Sequence, residues 1–406
     1  IAEKFTLSGS EVEKILSIPE SLSDIVVAQI LEILPHPNAD RLQLAKVKFG
    51  KNKTTDVVCG ALNIAVGQKV PLALPGVTLP DGMKLSISKI RGIESRGMLC
   101  AEDELGLGDD HGGIMVLDSR TPVGTTLPKA LGLSDIIFDI DVTPNRADCF
   151  SIEGLSREYA ALTGKKMKYP KIAKLPVAKK KDIVVSIQAK KACKAYYMCK
   201  VSGIIVGPSP IWMQSALREV GIRPINNVVD VTNYVMIATG QPMHAFGAEK
   251  IGSKEKIKID VRFAKKGEKI LGLDDITYEL DPSILVITDS KIPIAIAGVI
   301  GGKDASVTAE TKEVVFEAAA FDGPAVRKAS LSLGVRTESS TRFEKGTNKE
   351  ASGKAVAYAV ALLKETTGGK VEEFVTEPPI KAAKEKSVMV SYSRMTRIIG
   401  ASIPKT

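Results

Sequence analysis

Between residues 24 and 117 the apolar positions come in short runs broken by Gly, Pro, Asn and Asp: DIVVAQILEILPHP, LQLAKVKF, TTDVVCGA, QKVPLALPGVTL and GIMVL. Such β-rich runs at close spacing predict a small barrel or sandwich, placed at about 22–130. Ahead of it, EVEKILSIPESL predicts a helix ending near Pro19, because proline disfavours helix at the preceding residue. Behind it, SIEGLSREYAALTG (151–164) predicts a helix with Ser151 as N-cap and Gly164 just past the end. Glu153 and Arg157, four apart, form a supporting pair on that helix. Further on the texture becomes mixed. IWMQSALREVGI, GPAVRKASLSLG and EASGKAVAYAVALLKETTGG read as helices. KIKIDVRFA, ITYEL, ILVITD, IPIAIAGVIGG and VVFEAAAF read as strands. SVMVSYSRMTRIIGASI, from 387, opens another unit. The expected class is multidomain α+β.

Length agrees with that division, since 406 residues exceed one compact core and two to four domains are expected. With 44% apolar and 25% charged residues the composition is that of a globular chain. Five cysteines, at 59, 100, 149, 193 and 199, form no CxxC pair. An odd count without that spacing predicts reduced thiols in a cytoplasmic protein, with neither a disulfide framework nor a zinc site. No apolar run reaches the roughly 18 residues a membrane span needs, and no signal peptide is visible. Starting at Ile and ending at SIPKT, the sequence reads as a piece of a longer chain.

The net charge of +9 allows a polyanionic partner. Much of the excess lies in 164–200, GKKMKYPKIAKLPVAKKKDIVVSIQAKKACKAYYMCK, which is either a solvated linker or a phosphate-binding patch.

Candidate chemistry begins with what is missing: no GxxxxGK[ST], no GxGxxG after a strand, no HExxH and no GxSxG. The three histidines, at 36, 111 and 244, are too scattered for a metal triad, so no metal site is expected. What remains is a set of polar residues in apolar or small surroundings. DVTNYVMIATGQPMHAF holds Asp230, Thr232, Asn233 and His244, and VVFEAAAF isolates Glu317. RTESSTRFEKG gathers Thr337, Ser339, Ser340, Thr341, Arg342 and Glu344 into a loop before a helix. AGVIGG (297–302) is either a tight turn or a place where backbone amides approach a ligand. A glutamate inside a strand is paired, faces a cavity or lies on a solvent edge, because an unpaired buried charge is costly.

At these residues the sequence resembles the N-terminal half of the bacterial phenylalanyl-tRNA synthetase β subunit family. FDIDVTPNRADCFSIEGLSREYAALTG (138–164) is similar to its re-entry signature, and GIRPINNVVDVTNYVMIATGQPMHAF, AIAGVIGG and LGVRTESSTRFEKG to its editing domain. HPNADRLQLAKV, VVCGALNIAVGQKVPLALPG and KIRGIESRGMLCAEDELGL resemble its inserted oligonucleotide-binding (OB-fold) barrel. The resemblance implies a discontinuous domain of 1–21 plus 132–170, an OB-fold at 22–131, a Lys-rich linker at 171–181, a mixed α/β editing domain at 182–378 and the start of a further domain at 387–406.

It also implies the chemistry. Post-transfer editing would hydrolyse tyrosine misattached to tRNA(Phe), because a phenylalanine site rejects the extra hydroxyl imperfectly. Glu317 matches the residue that accepts the phenolic hydroxyl, a charge-assisted contact that phenylalanine would leave unmade. Gly301 matches the wall closing on the ring, and Ser339 a pocket position that is alanine in some members. His244, Arg223 and Thr337 match residues near the aminoacyl ester and terminal adenosine, with Asn233 hydrogen bonding to substrate. His244 either handles water or orients the ribose. The expected partners are tRNA(Phe) and an α subunit, in an α2β2 heterotetramer, with no membrane. No cofactor is expected within these residues, while ATP and Mg2+ would serve the complete enzyme elsewhere. The alternative is a non-catalytic tRNA-binding scaffold with an inactive pocket.

Overall fold

The computed structural model describes residues 1–406 apart from 17–19, 108–111, 134–135, 171, 173–174, 176–181, 253–255, 290–291, 379–386, 403 and 405–406. Most of the expected linker at 171–181 lies outside the described residues, as does His111. The first part runs α1 (Ala2–Leu7), β1 (Glu11–Leu16), α2 (Glu20–Ser23), β2 (Val26–Pro35), β3 (Gln43–Lys48), β4 (Thr54–Cys59), β5 (Lys69–Ala73), β6 (Ser88–Ile90), β7 (Ile93–Ser95), β8 (Met98–Leu99), α3 (Leu127–Leu131), β9 (Ile137–Asp141) and α4 (Ile152–Thr163).

The helix expected over EVEKIL is instead strand β1 (Glu11–Leu16), antiparallel to β9 (Ile137–Asp141) far along the chain. Val12, Ile15 and Leu16 have helical spacing, but pairing with β9 satisfies the backbone, and Ile15 and Leu16 stay exposed. α4 does start at Ser151, whose Oγ accepts from Gly154 N at 3.0 Å, and ends at Gly164 in the left-handed region. Phe5 of α1 meets Tyr159 of α4 at 6.3 Å between ring centroids.

The β-rich block is one curled sheet, ordered β4-β3-β2-β5-β8. Arg96 N donates to Asp56 O and Val58 N to Ser95 Oγ, so the β6–β7 hairpin bends over the β4 edge. Ala28, Ile30, Ala45, Val47, Val57, Val70 and Leu72 fill its concave side. The strand expected at GIMVL does not form; Leu117 makes a single bridge to Lys69, as two glycines at 112–113 give it no side chains to pack.

From 183 the chain forms β10 (Ile183–Ile187), β11 (Cys193–Ser202), α5 (Ile211–Glu219), α6 (Asn227–Thr239), β12 (Met243–Gly247), β13 (Ile257–Phe263), β14 (Lys269–Leu271), β15 (Thr277–Glu279), β16 (Leu285–Thr288), β17 (Pro293–Ile296), β18 (Ile300–Gly301), β19 (Glu313–Phe321), α7 (Gly323–Leu333), α8 (Glu338–Lys345), α9 (Lys349–Thr367), β20 (Lys370–Glu377) and α10 (Tyr392–Ile399). Among the described residues they make two larger sheets, β12-β19-β11-β20 and β10-β13-β16-β17-β18, beside the two-stranded β14-β15. Because side chains alternate along a strand, the first sheet has two buried faces. Tyr196, Met198, Phe246, Val315, Ala319 and Phe321 join a core with Ile259, Val261, Leu285 and Ile296 of the second sheet. Tyr197, Cys199, Ala245, Phe316 and Ala318 pack instead against α5, α6 and α9, through Leu217, Val231 and Val356.

The stretch 183–200 is therefore no linker, against the solvated reading of 164–200. Its lysines masked two buried strands, with Lys194 exposed and Lys200 paired to Glu313 at 2.8 Å. The two parts of the chain meet at several points. Lys345 Nζ donates to Val142 O at 2.9 Å, and the Arg342 guanidinium lies 4.6 Å from the Phe150 ring centroid. Ser215 Oγ donates to Leu131 O at 2.6 Å. α10 has no buried residue.

Candidate active site

The second pair of the β12–β19 ladder is two polar residues in register, His244 opposite Glu317. By strand parity both side chains point into the sheet–sheet core: His244 is two residues from Phe246, and Glu317 two from Val315 and Ala319. They border a cavity of about 90 Å³ lined also by Met243, Ile287, Ile296, Phe321, Phe343 and the 298–301 turn.

Burial sets the electrostatics. Glu317 Oε1 is enclosed without a hydrogen-bond partner among the described residues, and burial pushes its carboxyl up to about 8. Part of the His244 ring reaches the cavity, but its Nε2 is enclosed and unpartnered, and burial pulls the imidazole down to about 4. At neutral pH the site thus holds two neutral groups with unused hydrogen-bonding capacity. An apolar core tolerates them only in that form, since an isolated buried charge is far more costly.

The wall facing them is the glycine turn. A Cβ on Gly301 would lie 2.7 Å from His244 Nε2, so the ring occupies the room a side chain would need. Gly298, at φ +72, lies in the left-handed region and lets Phe321, Val326 and Phe343 close in. The turn is tied to the start of α8. Thr337 Oγ1 donates to Val299 O at 2.8 Å and accepts from Ser340 N at 3.1 Å, while Ser339 Oγ donates to Gly298 O at 3.2 Å. Ser340 Oγ accepts from Thr337 N in return, completing a capping box.

Of the seven residues singled out from sequence, His244, Glu317, Gly301 and Ser339 meet at the cavity. Thr337 does not line it, and its hydroxyl is engaged in holding the turn. Arg223 is exposed in the loop before α6, and Asn233 is half-buried on α6, which packs on the opposite sheet face. Asp230 serves that loop: its carboxylate accepts from Ile225 N at 2.7 Å and Ser209 Oγ at 2.5 Å. Among the described residues no group of three or more His, Cys, Asp and Glu could hold a metal ion.

Two contributors were not anticipated. Gln241, 1% exposed, donates through Nε2 to Pro242 O and Ala319 O, both at 2.9 Å, and accepts from Ser352 Oγ. It fastens the turn before His244 to β19 and α9. Tyr196 is fully buried two residues from Met198, the partner of Glu317 on β11. The signals were present, a glutamine between Gly and Pro and an alternating CKAYYMC, but turn chemistry and lysine density concealed them.

Comparison with known proteins gives this arrangement a class. Residues 25–126 match the family described as a putative tRNA binding domain, and residues 192–368 match the B3/4 domain. The phenylalanine–tRNA ligase β subunit of Bacillus cereus is 41% identical over 411 residues, covering 99% of this chain and 51% of its own length. That of Geobacillus kaustophilus is 40% identical over 413 residues, with 100% and 51% covered. A crystal structure of an N-terminal fragment of the phenylalanyl-tRNA synthetase β subunit from Pyrococcus horikoshii aligns at 17% identity and a TM-score of 0.33, covering 66% of this chain and 74% of that one. The chain belongs to the bacterial phenylalanine–tRNA ligase β subunit family, and it spans about half the length of the curated relatives it matches.

Proposed function

We propose that the chain carries an editing site that hydrolyses tyrosine esterified to tRNA(Phe), as part of a cytoplasmic phenylalanine–tRNA ligase. The observation that carries the reading is the pairing of His244 and Glu317 across β12–β19, each with an unpartnered buried atom at one cavity. An aromatic ring is suited by Phe321, Phe343, Ile287 and Ile296, and its hydroxyl by Glu317. Phenylalanine would leave that carboxyl unpaired, which is the basis of discrimination. His244 then positions the attacking water or the ribose, because its buried Nε2 has no carboxylate partner among the described residues to strengthen it as a base.

At about 90 Å³ the cavity is smaller than the roughly 150 Å³ that accepts benzene in an engineered apolar core. Ring entry therefore requires the 297–302 turn to yield, and Thr337 and Ser339 hold that turn by one side-chain hydrogen bond each. Arg223, exposed in its loop, suits a phosphate of the tRNA end, and Asn233 a polar contact outside the ring slot. The complete enzyme on this reading pairs with an α subunit in an α2β2 assembly and uses ATP and Mg2+ at a site beyond these residues.

A second reading, a tRNA-binding scaffold without catalysis, is favoured by the small cavity and the unassisted histidine. Deacylation of tyrosyl-tRNA(Phe) separates the two, with wild type compared against His244→Ala and Glu317→Ala in the native assembly. Slower tyrosine release in both variants supports editing. Unchanged release in both leaves only the scaffold.

A further inference from the structure

Tyr196 holds a fully buried hydroxyl with no hydrogen-bond partner among the described residues. Such an atom is costly in a core, and phenylalanine would fill the same space without it. The position explains what the hydroxyl is near. Tyr196 lies opposite Ala319 on the β11–β19 ladder, and Met198 opposite Glu317. Tyr196 and Glu317 are therefore diagonal cross-strand neighbours on one face, about 7–8 Å apart along the sheet and within reach of an aromatic side chain. Glu317 has an unpartnered oxygen of its own. Its charge is the second cause, after burial, that raises the Tyr196 phenol well above its ordinary range. The Tyr196 ring stands 6.5 Å from Phe321, which lines the cavity, while Tyr196 itself does not line it.

We propose that the Tyr196 hydroxyl positions the Glu317 carboxyl from behind the cavity wall, so that preference for a hydroxylated ring depends on both side chains. The inference rests on the editing function proposed above. A carboxyl has two oxygens. When the ring enters, the Tyr196 hydroxyl, unpartnered in the free protein, donates to one of them and the other meets the incoming phenol, so that neither oxygen is left unpaired in the bound state. Tyr196 is a positioning residue in this arrangement and touches no part of the substrate.

The test is steady-state deacylation of tyrosyl-tRNA(Phe) and phenylalanyl-tRNA(Phe) by the native assembly, with Tyr196→Phe, Glu317→Gln and the double variant. Tyr196→Phe removes one unpartnered atom at constant ring volume, so its thermal midpoint should hold or rise. Its KM for the tyrosyl ester should rise roughly tenfold, the scale of one buried hydrogen bond, with kcat kept and the phenylalanyl ester unaffected. The double variant should discriminate no worse than Glu317→Gln alone, as expected for two groups acting as a unit. Equal losses on both esters, or additive losses in the double variant, would make Tyr196 merely structural and overturn the inference. Unchanged kinetics in Tyr196→Phe beside lost discrimination in Glu317→Gln overturn it too, while the editing reading stands. If Glu317→Gln itself leaves both esters unaffected, the editing reading fails and takes the inference with it.

Discussion

His244 and Glu317 face each other in register across β12 and β19, one imidazole and one carboxyl enclosed together in an apolar core. Their protonation is coupled to folding in opposite senses. Glu317 is raised from 4.5 to about 8, so above pH 4.5 the folded chain keeps a proton that the unfolded chain releases. Its contribution is fully present below 4.5 and lost as pH rises toward 8. His244 is lowered from 6.5 to about 4, so its contribution is present above 6.5 and lost as pH falls through 4. The two oppose each other between 4.5 and 6.5. From 6.5 to 8 only Glu317 acts, with a slope of at most about 1.4 kcal/mol per pH unit. Denaturant unfolding at pH 6.5 and 8 should therefore show wild type losing more stability than Glu317→Gln across that interval. Equal losses would mean that Glu317 is already ionised at pH 6.5.

Gly301 is the counterpart of His244 on the opposite wall. Since a Cβ there would overlap the imidazole ring and sit 3.1 Å from Leu273 Cδ1, Gly301→Ala forces one of them to move. Overpacking of that kind costs about 1–3 kcal/mol. The expected result is a lower unfolding midpoint together with slower tyrosyl-tRNA deacylation. Gly207→Ala is the control, because no atom of the described residues lies within 4 Å of a Cβ at that glycine. Matching behaviour of the two variants would remove the steric argument.

Thr337 works through the turn it holds. Thr337→Ala deletes an N-cap and the bond to Val299 O together, a loss of about 1 kcal/mol from the cap alone. Thr337→Ser keeps the hydroxyl and should restore stability. Deacylation should follow the same order, with serine near wild type and alanine impaired. A serine variant that is stable yet inactive would point to substrate contact by the threonine methyl.

Sequence pattern located three helices of the second part, because 211–222, 323–334 and 350–369 have apolar stripes and glycine or capping boundaries near their ends, but it missed α6 and read the residues of α8 as a loop. It misread Glu11–Leu16, where i, i+3, i+4 spacing imitates a helix and only a distant strand decides otherwise. The site was legible where a polar side chain interrupts an apolar strand, as at Glu317. It was not legible where a hydroxyl or amide serves the fold. Thr337 could not be separated from Ser339 by sequence, since one caps a helix and the other lines the cavity only through the path of the turn. Family resemblance put Ser339 in the pocket and Thr337 near the ester, and did not reveal that the Thr337 hydroxyl holds the turn.

Gln241 is the severest test of how His244 is held. Its amide bonds two carbonyls, one in the turn and one on β19 two residues past Glu317, and its oxygen takes the Ser352 hydroxyl from α9. Gln241→Ala leaves Ala319 O and Ser352 Oγ without these partners in a closed space and should cost about 2–5 kcal/mol. Ser352→Ala removes one donor and should cost about 1 kcal/mol. Gln241→Met separates packing from hydrogen bonding, because it keeps the volume and discards the polar atoms. Equilibrium unfolding should place the methionine variant close to alanine. Recovery of wild-type stability by methionine would mean that shape alone fixes the turn, and that the hydrogen bonds of Gln241 do not set the position of His244.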